Sequence, residues 1–264
     1  MRRLRLPLVL VLGALAITAI AKGQPPSGIS RPSNETALSQ VELGSQLYAG
    51  NCASCHGVAG RGIVSNTSHQ GVGGIRGRGP SLRGVGAQAA YLYLTTGFMP
   101  LSNPGERPYR RRVLFSDREI QALIAYVASL APGPGIPHVD PAKGSVSDGF
   151  RLFTENCAGC HQAVAEGGYV TDARVPALKQ STPTQIAAAV RTGPYLMPSF
   201  SKRQISDSEL NSLVAYVEAS KHPKDRGGWG IGHIGPVPEG MVAWAVAGLA
   251  LVGLCVLIGE RVRT

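Results

Sequence analysis

Aromatic side chains are scarce, 6% of 264 residues, and the chain is short of acid: 16 Asp and Glu stand against 26 Lys and Arg. The basic residues are dispersed and aromatics are few, so a nucleic-acid partner is not expected despite the net charge of +10. Part of that charge sits in the terminal segments, in Arg2, Arg3, Arg5, Arg261 and Arg263. The remainder suits an anionic protein surface. Methionine is limited to four residues and cysteine to five, so the position of each is informative. Apolar runs of membrane-spanning character are confined to the two ends.

Four of the five cysteines fall in two short motifs, Cys52-Ala53-Ser54-Cys55-His56 and Cys157-Ala158-Gly159-Cys160-His161. The pattern C-x-x-C-H is that of covalent c-type haem attachment. The two thiols can add to the two vinyl groups on one porphyrin edge. The adjacent His offers an imidazole nitrogen to the iron. Two disulfides or one zinc site are the competing uses of four cysteines. A disulfide framework has no need of His directly after each pair. Zinc ribbons place their pairs about 15–20 residues apart, whereas Cys52 and Cys157 stand 105 positions apart. Two covalently bound haem c groups are therefore expected.

The ends of the chain suggest export and anchoring. Arg2, Arg3 and Arg5 precede an apolar stretch from Leu6 to Ile20, and Ala19-Ile20-Ala21 has the A-x-A form of a cleavage site. Residues 1–21 thus read as a signal peptide or a retained signal anchor. Met241 to Gly259 is a continuous apolar run without charge, long enough to cross a bilayer. Arg261 and Arg263 follow it and should stay in the cytoplasm. Cys255 lies inside this run as a small apolar residue. The expected location is the cell membrane, with everything between the apolar ends outside. The chain crosses once, or twice if the N-terminal segment is retained.

Between the ends, one pattern occurs twice. Residues 22–38 are rich in Pro, Ser and Gly and read as a flexible linker. Ser39 and Glu42 form a capping box that opens a helix into the first motif. A glycine-rich loop runs from Gly57 to Gly86, with a short helix expected over 87–94. Ser116 and Glu119 cap another helix, whose Ile120, Leu123, Ile124 and Val127 share one face. Ala131-Pro132-Gly133 ends it. In the second half, Gly149, Leu152, Phe153 and Asn156 keep the spacings of Gly44, Leu47, Tyr48 and Asn51 before their cysteines. A short helix over 184–191 and a capping box at Ser206 and Glu209 follow. Leu210, Leu213, Val214 and Val217 repeat the helical face, and Ala215-Tyr216-Val217 repeats Ala125-Tyr126-Val127. This is internal duplication. The expected division is 39–131 for the first domain, 132–144 for a linker and 145–222 for the second domain. A tether over 223–240, the transmembrane helix over 241–259 and a tail over 260–264 complete it. Units of this size are marginal on apolar burial alone, so haem should supply much of each core.

Met99 and Met197 lie 43 and 36 residues after His56 and His161, each in a Gly-led turn closed by Pro. A lone Met is ordinarily core filler. Two at matching places are candidate sixth ligands, and Met/His ligation suits electron transfer. A closed six-coordinate iron has no substrate site, which argues against a gas sensor or oxygen chemistry. No catalytic residue is assigned. His69, His138, His222 and His233 fall in loops or linkers, where solvation is the default. His69 is the competing ligand in the first unit.

Two C-x-x-C-H units with matching Met residues, an export signal and a C-terminal anchor resemble the dihaem cytochrome c subunit, cytochrome cc, of actinobacterial cytochrome bc complexes. The resemblance implies a mostly α protein with two tandem cytochrome c-like domains and a C-terminal transmembrane helix. It implies a proton-translocating menaquinol–cytochrome c reductase with a cytochrome b subunit. In it, this chain relays electrons from the Rieske iron–sulfur protein toward a cytochrome c oxidase in a supercomplex. The family's haem residues carry over onto Cys52, Cys55, His56 and Met99, and onto Cys157, Cys160, His161 and Met197. The glycine- and arginine-rich loop around 69–78 departs from the pattern. A free-standing, membrane-tethered dihaem carrier remains the alternative, because it shares every motif.

Overall fold

The computed structural model describes residues 28–63, 79–102, 106–171, 173–222 and 236–263. The expected signal segment, the loop containing His69, and His233 lie outside them. The described chain is mostly helical, with two compact units, one ending at Lys221 and one from His222 onward.

In the first unit, α1 spans Gln40–Asn51 and α2 spans Ala53–His56. Helix α3 spans Gly86–Thr95 and α4 spans Asp117–Ser129. The second half repeats the order with α5 (Val146–Asn156), α6 (Ala158–His161), α7 (Pro183–Thr192) and α8 (Asp207–Lys221). A short antiparallel hairpin, β1 (Gly168–Val170) and β2 (Ala173–Val175), is inserted between α6 and α7. No strand was expected there. Three-residue strands are too short to leave a readable alternation.

The capping boxes do what their spacing implies. Ser39 and Glu42 exchange bonds at the start of α1, as do Ser116 and Glu119 at the start of α4. At the start of α8, the Ser206 N–H donates to Glu209 at 2.8 Å and the Glu209 N–H donates back at 3.2 Å. Each box satisfies backbone donors that the first helical turn leaves orphaned.

The core of each half is a crossing of two helices. Helix α1 packs on α4, and α5 packs on α8. Leu43, Leu47, Tyr48, Leu123 and Ile120 are almost fully buried in the first crossing, and Phe153, Leu210, Leu213 and Val214 in the second. Burying each such side chain contributes roughly 1.5–3 kcal/mol. Tyr48 stacks on Tyr126 with centroids 5.1 Å apart, and Phe153 on Tyr216 at 5.3 Å. The repeated Ala-Tyr-Val triplet thus places one aromatic at each crossing.

The segment expected as a linker over 22–38 is docked in its described part. Ile29 and Leu38 pack on the first core. The Ser30 N–H donates to Asn51 at 2.8 Å. Arg31 Nε donates to the carboxylate of Glu119 at 2.7 Å, and Glu119 is buried. Composition alone suggested flexibility, but two apolar residues and one well-placed Arg suffice to tie this stretch down.

In the second unit, α9 runs over Pro236–Arg263. Its Glu239–Val262 segment is 24 residues long, and its most apolar 18-residue stretch has a mean hydropathy of 2.6 with none of it buried. An apolar helix with no protein covering needs a lipid one. This helix is the membrane anchor.

Candidate haem sites

The first site is a cavity of about 450 Å³ in the first half. Cys52, Cys55 and His56 line it, from the α1–α2 junction, and Met99 lines it from the turn after α3. Leu94 and Leu123 are among its apolar walls. The sequence-matched residues therefore converge on one apolar cleft.

His56 is held in a defined tautomer. Its Nδ1 lies 2.8 Å from the carbonyl oxygen of Pro80. A carbonyl can only accept, so Nδ1 carries the proton and Nε2 keeps its lone pair for a metal. Gly79 makes this approach possible. A Cβ there would lie 2.6 Å from the Cys55 carbonyl oxygen and 3.0 Å from His56 Nδ1. Tyr48 braces the same corner by donating to the Gly57 carbonyl at 2.8 Å. Burial pushes the Cys52 thiol up to about 12, with Cys55 adding to the effect.

The second site repeats the logic with different supports. His161 is buried, and its Nδ1 lies 3.2 Å from the Pro176 carbonyl oxygen. Burial holds its imidazole below the usual range, and the Pro176 bond opposes this in part, so the ring is neutral near pH 7 and could offer Nε2 to a metal. Cys157 is buried in the second core, and Met197 packs against that same core. Burial pushes the Cys157 thiol up to about 11, again with help from its neighbouring cysteine. The hairpin carries the chain from His161 to Pro176, and the Tyr216 hydroxyl donates to the Ala163 carbonyl.

Both sites fit a haem c on the chemistry of their donors. Each has two thiols in a C-x-x-C-H motif, an imidazole with Nε2 free and a thioether in or beside an apolar core. Among the described residues, no group of three or more His, Cys, Asp or Glu is placed to hold a metal ion by itself. Sequence reasoning missed the two proline carbonyls. The signal was present as Pro80-Ser81-Leu82 and Pro176-Ala177-Leu178, a Pro-x-Leu triplet in each half. His138 and His222 are exposed.

Residues 41–131 match the cytochrome c family, and residues 144–217 match subunit III of cbb3-type cytochrome c oxidase. The cytochrome bc1 complex cytochrome c subunit of Mycobacterium tuberculosis is 34% identical over 98% of this chain and 93% of its own length. That of Corynebacterium diphtheriae is 33% identical over 86% of this chain and 83% of its own. A cbb3-type cytochrome c oxidase subunit of Sinorhizobium medicae is 30% identical over 48% of this chain and 40% of its own. Such domains carry covalently bound haem c, which makes the chain a membrane-anchored respiratory electron-transfer cytochrome. The chain belongs to the cytochrome c subunits of the cytochrome bc1 complex.

Proposed function

We propose that the chain carries two haem c groups and relays electrons from a Rieske iron–sulfur subunit toward a terminal cytochrome c oxidase. Cys52 and Cys55 attach the first haem, with His56 and Met99 as its axial ligands. Cys157 and Cys160 attach the second, with His161 and Met197 as its axial ligands. The first domain covers 39–131 and the second 145–222, joined by 132–144. The haem domains face outward and the tail after Glu260 faces the cytoplasm. The chain works within a proton-translocating assembly with a cytochrome b subunit, in a supercomplex with the oxidase.

The observation that carries this reading is the convergence of Cys52, Cys55, His56 and Met99 on one apolar cleft. An iron closed by His and Met can exchange electrons but cannot bind a substrate. The chain itself therefore contributes no catalytic residue. Its protein groups do three things: fix the imidazole tautomer, exclude water from the ring, and hold the thioether on a Pro-closed turn.

Purification in mild detergent tests the reading. Rieske, cytochrome b and oxidase chains should co-purify with this chain in stable proportion. A chain that emerges alone, with both haems intact and reducible by several partners, would instead be a free-standing membrane-tethered carrier.

A further inference from the structure

The two halves meet along a seam that has its own internal symmetry. Helices α3 and α7 pack against each other. Gln88 is the third residue of α3, and its Nε2 donates to Thr192 Oγ1, on the last residue of α7, at 3.0 Å. Gln185 is the third residue of α7. Its Nε2 donates to the carbonyl oxygen and hydroxyl of Thr95, the last residue of α3, at 3.2 and 3.1 Å. The bonds are thus reciprocal between duplicated positions, as in an isologous interface. Both glutamines are buried, at 8% and 6% exposure, so breaking either bond strands a buried donor. Arg110 adds bonds to Ser181 Oγ at 3.1 Å, the Gln180 carbonyl at 2.8 Å and Gln185 Oε1 at 3.2 Å.

This seam reaches the first haem cleft. Thr192, Gly193 and Tyr195, all from the second half, line that cavity together with Cys52, His56 and Met99. The Tyr195 backbone N–H meets the hydroxyl of Tyr93, which lines the same cavity. Tyr195 has φ 58, a left-handed conformation that is uncommon for a residue with a side chain. Such a backbone persists only where its surroundings hold it.

We propose that the second half supplies a wall of the first haem site, with Gln88 and Gln185 as positioning residues that keep this wall shut. The proposal rests on the haem reading above. It follows that the reduction potential of the first haem depends on the integrity of the seam. A ferric site carries one more positive charge than a ferrous one. Water admitted through an opened wall stabilises that charge and lowers the potential.

The test uses the full chain with both haems attached and two variants. Gln88→Leu removes one donor without adding charge. Gln185→Leu removes the other donor, again without adding charge, so neither variant alters the potential through a new charge. Potentiometric titration should show two one-electron waves in the wild type. In each variant, the same one of the two should shift by about tenfold toward the ferric form, about 59 mV, while the other holds. Two attached haems by mass with neither wave moved, with both waves moved alike, or with different waves moved in the two variants, would overturn the proposal. A mass showing no haem would overturn it together with the reading beneath it.

Discussion

A Cβ on Gly44 would lie 2.0 Å from the carbonyl oxygen of Ala122, so α1 and α4 touch backbone to backbone where they cross. The second half reproduces the contact: a Cβ on Gly149 would lie 1.9 Å from the Ser212 carbonyl oxygen. The two glycines are the pivots on which α1 and α5, the helices that lead into the two C-x-x-C-H motifs, are set. Each crossing holds the start of its C-x-x-C-H motif against the core.

Gly44→Ala and Gly149→Ala should therefore each force a crossing apart and cost about 1–3 kcal/mol or more. Gly159, inside the second motif, has nothing within 4 Å of its Cβ position. Gly159→Ala should be neutral or slightly stabilising. Thermal unfolding of the three variants, followed by far-UV circular dichroism, checks the contrast. Equal effects at all three positions would contradict it.

Arg31 and Glu119 tie the N-terminal stretch to α4. Burial works to raise the Glu119 pKa, but Arg31 and the Ser116 cap outweigh it and hold it below the ordinary carboxylate range. A group with a lowered folded pKa stabilises the fold above its unfolded value, and that contribution is lost as pH falls through the folded value. The wild type should thus lose stability below about pH 4.5. Arg31→Leu leaves the buried carboxylate without its cation and should cost about 3 kcal/mol at pH 7. Its acid limb should also be flatter. Denaturant titrations across pH 3–7 measure both.

Haem content follows from the motifs. The purified wild type should carry the mass of two haems, and denaturing gels should retain haem staining. Paired Cys52→Ala and Cys55→Ala substitutions should remove one haem and unfold the first half, since the proposed haem would fill its cavity. The same pair at Cys157 and Cys160 should do so for the second half. A wild-type mass with one haem or none would contradict the assignment.

Topology is set by the charges after the anchor. A cysteine tag added after Thr264 should resist an impermeant thiol reagent in intact cells. One placed in an exposed loop of the haem domains should react. Labelling of the tail from outside would reverse the orientation proposed for α9.

Much of this arrangement was legible in the amino-acid sequence because it was written twice. Gly44 and Gly149, Asn51 and Asn156, and Tyr126 and Tyr216 keep matched spacings because each pair performs one task in two copies of one unit. Capping boxes were legible because their bonds are local. What escaped was non-local. The Pro80 carbonyl reaches His56 from 24 residues away, and Pro176 reaches His161 from 15. Gln88 and Thr192 are 104 residues apart, and nothing in the neighbourhood of either announces the other. Docking of residues 28–38 depends on Arg31 finding a buried acid, which composition does not encode.

The central claim is that each iron is closed by a His and a Met, and it is tested most directly at Met99 and Met197. Ferric haem with a thioether ligand has a weak near-infrared absorption, which can be followed alongside a potentiometric titration. The wild type should show this band with two one-electron waves. Met99→His and Met197→His should each remove part of the band and lower one wave, a different one in each variant, with both haems still attached. If both variants keep the wild-type spectrum and potentials, the thioethers are not the ligands and the account fails.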